Sequence, residues 1–297
     1  LALLDNSLNQ QFLTDCYKVE NAGYDRGWSQ NSIILDNDEI IVILEMNDSE
    51  GNNGSNPYVV HYNLDGSIKR VIDTELGGQT ASIVKDSDGF SVIGRQDAIK
   101  YDLNGNIIQA KTNWNTSTNL VSSFNTYKGI INTLDGGYVI AANSQQSFSR
   151  SINFLSKKEQ IFGTNKSLAN DYGILLIKIN SDFSIAWETL VNTNEYYEGF
   201  RGSLLQDDDG SFYLSGGIRN SSSGPFWASV LKFDSSGSLI FYEEYGENDG
   251  DYVAARGLLR DPVFNQFNLM SKRYNTDPDS MWLIKVDKDG TRTARTF

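Results

Sequence analysis

Five times the chain repeats one phrase: two apolar residues, a Lys or its stand-in, an apolar residue, Asp or Asn, two turn residues and usually Gly. The copies run 59–66, 98–105, 176–183, 230–237 and 283–290; His61 replaces Lys in the first, and Phe183 replaces Gly in the third. A unit this short cannot bury its own apolar face, so it must stack on its neighbours. The phrase therefore fixes a repeat architecture before any residue is read for chemistry.

Upstream of each phrase lies a second element, an apolar strand, an acidic turn and another apolar strand. It reads 32–43, 82–93, 130–140 and 204–214 in the first four copies. Asp-Gly between short β-rich runs signals a hairpin, because Gly accepts positive φ and Asp bonds the local backbone. Each repeat thus predicts two hairpins, strands A–B and C–D. The fifth copy departs, with Asp261-Pro262-Val263-Phe264-Asn265-Gln266 where Asp-Gly is expected, so its turn should differ in length or shape. A small residue, Asn31, Ala81, Gly129, Gly202 or Gly257, precedes each A-strand apolar pair, as crowded inner strands require.

The last phrase positions, 66, 105, 183, 237 and 290, are 39, 78, 54 and 53 residues apart. Four strands with short loops need roughly 40–50 residues, the spacing of propeller blades. The expected fold is all-β, a β-propeller of four-stranded antiparallel blades spanning 30–75, 79–114, 122–193, 197–247 and 251–297. Residues 144–171 form a B–C insertion in the third repeat and hold the one candidate helix. Asp5 precedes Phe12 by seven positions, as Asp234 precedes Phe241, so residues 1–29 read as an extra C–D-type hairpin. That makes one domain over 1–297, with five complete blades and the hairpin; the alternatives are six blades, or a piece of a larger ring.

Joined, the elements read Asp-Gly-Gly-Tyr, a B strand, a variable loop, then Leu-Ile-Lys-x-Asp-x-x-Gly-x-x-x-Trp, best matched by Asp135–Tyr138 and by Leu176 through Trp187. This resembles the repeats of secreted and surface-anchored β-propellers of Bacteroidota-like bacteria, over residues 30–297 and more loosely over 1–29. Members of that group include scaffolds, adhesins and partner-binding lipoproteins without a shared catalytic motif. The resemblance implies fold and location more than activity, and this chain keeps the outer-strand Trp only at Trp187.

Composition narrows the function classes. With 25 Lys and Arg against 38 Asp and Glu, the net charge of −13 disfavours nucleic acid and anionic membranes as partners. No run approaches the roughly 18 apolar residues that span a bilayer. Leu1 to Leu4 are too few for a signal peptide, so a targeting segment is expected upstream. One Cys and one His leave no zinc cluster, and Cys16, on an outer-strand pattern, reads as a small hydrophobe or a strand-face thiol. His61 occupies the slot of Lys100, Lys178, Lys232 and Lys285 and reads as blade packing or solvated charge.

Acidic runs such as Asp207-Asp208-Asp209-Gly210 and Asp287-Lys288-Asp289-Gly290 are too short for an EF-hand loop and read as turn chemistry. A five-bladed glycosidase would present acids from its inner strands. The corresponding positions here hold Gln30, Thr80, Lys128, Arg201 and Arg256. Lys128, Arg201 and Arg256 either ring one channel mouth and attract an anionic group, or pair with acids such as Asp25, Glu198 and Asp251. The D–A and B–C loops are expected to carry Tyr24, Trp28, Trp114, Tyr196, Tyr197, Phe200, Phe226, Trp227, Tyr252 and Tyr274, as a recognition surface or as a channel plug.

The sequence therefore predicts a non-catalytic protein-binding or scaffolding module of the bacterial cell envelope or exterior, without cofactor or metal. It would bind through the loop face and the 144–171 insertion. The expected partner is an envelope protein such as a transporter or secretion component. The alternative is a carbohydrate-binding, lectin-like module or a degenerate glycoside hydrolase.

Overall fold

The structure is a computed structural model that describes residues 2–4, 10–13, 24–34, 39–48, 56–74, 76, 82–94, 96–114, 124–145, 172–192, 203–218, 227–245, 252–261, 263–274 and 280–296. A two-stranded sheet, β1 (Ala2–Leu4) and β2 (Gln10–Leu13), is followed by five four-stranded sheets. The first holds β3 (Tyr24–Ile34), β4 (Ile40–Asp48), β5 (Asn56–Tyr62) and β6 (Ile68–Asp73). The second holds β7 (Ser82–Lys85), β8 (Gly89–Ile93), β9 (Ala98–Asp102) and β10 (Ile107–Lys111). The third comprises β11 (Phe124–Asn132), β12 (Tyr138–Gln145), β13 (Tyr172–Ile179) and β14 (Ile185–Asn192). The fourth comprises β15 (Leu204–Gln206), β16 (Phe212–Ile218), β17 (Trp227–Phe233) and β18 (Leu239–Tyr245). The fifth comprises β19 (Tyr252–Asp261), β20 (Gln266–Tyr274), β21 (Ser280–Val286) and β22 (Arg292–Thr296).

Every four-stranded sheet is an antiparallel meander in chain order, as two hairpins per repeat require. Its A–B and C–D turns consequently share one end, and the B–C loop lies at the other. Strand β3, the first of its four-stranded sheet, starts at Tyr24, inside the span 1–29 that the sequence reading gave to the hairpin. Most of the 144–171 insertion, with its candidate helix, lies outside the described residues, as does Cys16.

The C–D turns share one geometry. In the fourth sheet Asp234 N–H donates to the Ser238 carbonyl and Gly237 N–H to the Asp234 carbonyl, each near 3 Å, and Gly237 holds φ 85°. This is a three-residue hairpin loop, a type I turn followed by a left-handed residue. Asp at the turn accepts from the backbone two residues on, as Asp65 does from Ser67 and Asp234 from Ser236. The A–B turns at Thr133–Gly137 and Asp207–Ser211 repeat the pattern. Phe183, in the Gly position of the third repeat, adopts φ 60° and is buried.

The chain divides into two compact units, Leu1–Asn119 with Asp182–Ser184, and Leu120–Ser181 with Ile185–Phe297. In the first, Ile41, Ile43 and Val59 of the first sheet interlock with Ile83, Phe90, Val92, Ile99 and Tyr101 of the second. In the other, Val139, Ala141, Ile174 and Leu176 of the third sheet pack on Leu204, Phe212, Leu214, Leu231 and Phe233 of the fourth. The fourth then packs on the fifth through Tyr213, Val230 and Tyr245 against Leu258, Phe267, Leu269, Trp282 and Ile284. Each such side chain contributes about 1.5–3 kcal/mol, so sheet-on-sheet burial dominates stability.

Turns also dock on outer strands. A Cβ on Gly237 would lie 2.6 Å from the Trp187 ring on β14, and one on Gly290 would lie 2.8 Å from Phe241 on β18. Gly105 is equally close to Arg70 and Ile72 on β6. Glycine is required there twice over, for its positive φ and for the outer strand of the preceding sheet that fills the space of a side chain.

Candidate binding site

The inner-strand series singled out from sequence falls on a recurring backbone irregularity. In β3 the register skips Gln30 between Ser29 and Asn31, in β11 it skips Lys128 between Tyr127 and Gly129, and in β19 it skips Arg256 between Ala255 and Gly257. Each is the unpaired residue of a β-bulge, which bends the strand. The three positions are therefore structurally equivalent within their sheets. Thr80 and Arg201 lie outside the described residues. The small residue after the bulge has a local reason in the third sheet, because a Cβ on Gly129 would approach Leu204 to 3.3 Å. Arg256 is half-buried.

The aromatic set divides differently from expectation. Trp114 is only 3% exposed; its Nε1 donates to the Gly94 carbonyl at 3.1 Å and its backbone N–H to the Gln96 carbonyl at 2.8 Å. It closes the end of the second sheet and is removed from the recognition surface. Tyr24, Trp28, Trp227, Tyr252 and Tyr274 belong to strands rather than loops, because β3, β17, β19 and β20 extend further than the sequence pattern indicated. Tyr196, Tyr197, Phe200 and Phe226 lie outside the described residues.

In the first three sheets the slot residue on the C strand is tied to the A–B turn of its own sheet. Lys100 Nζ meets Asp88 at 2.8 Å. Lys178 Nζ donates to Asp135 Oδ1 at 2.8 Å and to Thr133 Oγ1 at 2.9 Å. His61 makes the equivalent contact with Glu39, Nδ1 to Oε2 at 2.9 Å, and Lys69 donates to the other carboxylate oxygen. Lys232 lies 5.0 Å from the centre of the Tyr213 ring, and Lys285 lies 5.2 Å from that of Phe264. Burial raises the Asp135 pKa, but the Lys178 ammonium and the Thr133 hydroxyl outweigh it and bring it to about 2.

The acidic run Asp207–Asp209 does more than shape a turn. Asp209 accepts from Ser211 N–H, while Asp208 receives Arg260 in a bidentate pair at 2.7 and 2.6 Å. Asp207, 1% exposed, is approached by Arg260 at 3.3 Å and Lys288 at 2.5 Å. Carboxylates of the fourth sheet thus clamp cations of the fifth, and the bond to Asp208 raises the Arg260 pKa. Among the described residues no group of three metal-ligating side chains occurs.

One surface was not anticipated as a site. Val263 and Phe264, in the aberrant fifth A–B turn, are 79% and 65% exposed, and Leu259 beside them is 58% exposed. Asp261 shapes that turn by accepting from Val263 and Phe264 N–H, and Asn265 takes φ 53° in place of a glycine. By register, Leu259, Met270 and Leu283 lie on the face of the fifth sheet opposite its contact with the fourth. The signal in the sequence was the missing Asp-Gly, read as a change of turn shape rather than as a surface.

No family model and no curated protein matches the chain. Among solved structures, a Dyadobacter fermentans protein of unknown function is similar at TM-score 0.48 and 11% identity, over 88% of this chain and 78% of that one. A variant of the Synechocystis apocarotenoid oxygenase is similar at TM-score 0.50 and 12% identity, over 99% of this chain. The chain spans 66% of the length of that oxygenase. At such identity the likeness to the oxygenase concerns the all-β fold alone.

Proposed function

We propose that the five sheets are blades of one β-propeller, with the N-terminal hairpin as a supplementary element, and that the protein is a non-catalytic binding or scaffolding module of the bacterial cell envelope or exterior. The observation that carries the binding role is the fifth A–B turn, where Val263 and Phe264 present apolar side chains to solvent in place of the acidic turns of the other repeats. Exposed apolar groups flanked by polar ones mark protein contact surfaces. Support for a non-catalytic role comes from the carboxylates themselves. Glu39, Asp88, Asp135, Asp207 and Asp208 are each engaged by a cation, and Asp65, Asp182, Asp209 and Asp234 by turn hydroxyls and amides. The bulge positions Lys128 and Arg256, with Arg201, remain the proposed basic element of the loop face, beside the 144–171 insertion.

Cross-linking capture from envelope extracts tests this with F264S and R256A variants. A partner recovered by wild type and lost by either variant, at unchanged melting temperature, supports the proposal. Equal recovery by all three proteins, or glycan-array binding without a protein partner, would replace it with the carbohydrate-binding reading.

A further inference from the structure

A fully buried imidazole stands where the other four repeats carry lysine. His61 is 0% exposed and Glu39 is 3% exposed, whereas the acids that serve Lys100 and Lys178 are open to solvent. A carboxylate can only accept, so Nδ1 carries the proton directed at Glu39. The other ring nitrogen, Nε2, is buried and has no hydrogen-bond partner. The ring meets Phe90 of the second sheet edge-on at 5.4 Å, and Phe90 stacks on Tyr101 at 5.0 Å. The charged groups around the imidazole are Glu39 at the start of β4 and Lys69 and Arg70 on β6, with Arg70 directly opposite His61 in the strand pair. The second sheet offers it the apolar ring of Phe90; Asp102 in that sheet acts on Arg70.

We infer that His61 is an acid-operated latch on the packing of the first sheet against the second. A lysine in this slot stays charged across the physiological range, whereas an imidazole changes charge between pH 5 and 8. With the ring neutral, every polar demand except one bare lone pair is met. Protonation places an N–H in that position, where no acceptor stands, with Lys69 and Arg70 adding repulsion. Glu39 offsets the new charge only in part, because Lys69 already shares its carboxylate. Burial accordingly lowers the His61 pKa, with the Glu39 bond opposing. A depressed histidine pKa means that the unfolded chain takes the proton first. The stability held by the neutral ring is complete above the ordinary value of 6.5 and is lost as pH falls below it.

Hydrogen-exchange protection, corrected for intrinsic rates and measured at pH 7.5 and 5.0, provides the test. Protection of β5 and β8 amides should fall several-fold in the wild type, while that of β20 and β21 in the fifth sheet holds. The H61Q variant keeps a donor for Glu39 and cannot titrate, so its β5 and β8 protection should be independent of pH. The H61K variant, carrying the residue of the sister repeats, should also be flat and decides the matter if H61Q does not fold. A wild type flat across this range, or variants that lose as much protection as the wild type, would overturn the latch.

Discussion

At the scale of single residues, the repeated polar positions are structural, and Lys178 with Asp135 shows how. Lys178 is 4% exposed and its ammonium donates to Asp135, Thr133 and the Ile179 carbonyl, so D135A takes away its counter-charge and should cost about 1–2 kcal/mol. K178M removes the charge along with its need for a partner and keeps the apolar stem, so it should cost about 1 kcal/mol or less. Urea midpoints of the two variants check the order; an equal or reversed pair would show that Lys178 is not buried as described. The pH dependence has a definite sign. The Asp135 pKa is lowered from 3.8 to about 2, so its contribution is complete above pH 4 and disappears as pH falls through 2. Its carboxylate is 67% exposed, so the step is small and D135N should abolish it in acid titrations of stability.

At the scale of elements, the phrase joins each turn to the outer strand before it. The residues that pair with the slot position on the outer strands are Arg70, Gln109, Trp187, Phe241 and Ala294. Gly237 sits on Trp187 and Gly290 on Phe241, large against small. The chain writes the reverse at Gln109 and Phe183, a medium polar residue in the strand and an aromatic in the next turn. G237F should therefore cost more than about 2 kcal/mol alone, through lost positive φ and overlap with the indole. G237F combined with W187Q should cost less than the sum of the two single changes, with a coupling of about 1 kcal/mol in a double-mutant cycle. Strict additivity would show that the turn and the strand do not share a contact. The Asp207–Arg260 clamp makes a further prediction. R260A leaves Asp207, at 1% exposure, with Lys288 as its remaining cation and should lower the urea midpoint clearly, whereas D208A, at an exposed carboxylate, should lower it little and lose its effect in high salt.

At the scale of the whole molecule, strand order, hairpin pairing and the turn glycines were legible in the sequence because each is set by local chemistry repeated five times. The equivalence of Gln30, Lys128 and Arg256 was legible too, although not the bulge that produces it, since a one-residue skip leaves the apolar pattern nearly intact. Trp114 was misread because its partners, the carbonyls of Gly94 and Gln96, come from a turn with no recognisable signature. The Arg260 clamp was hidden because its halves stand 52 residues apart in different repeats. What repeats holds the sheets, and what breaks the repeat is free to recognise something else. Partner affinity and melting temperature of two double variants, measured side by side, test that division. V263D/F264S should abolish capture of the proposed envelope partner at an unchanged melting temperature, while D135A/T133V, which takes both side-chain partners from the buried Lys178, should lower the melting temperature and leave capture intact. Loss of capture in the second variant with retention in the first would contradict it.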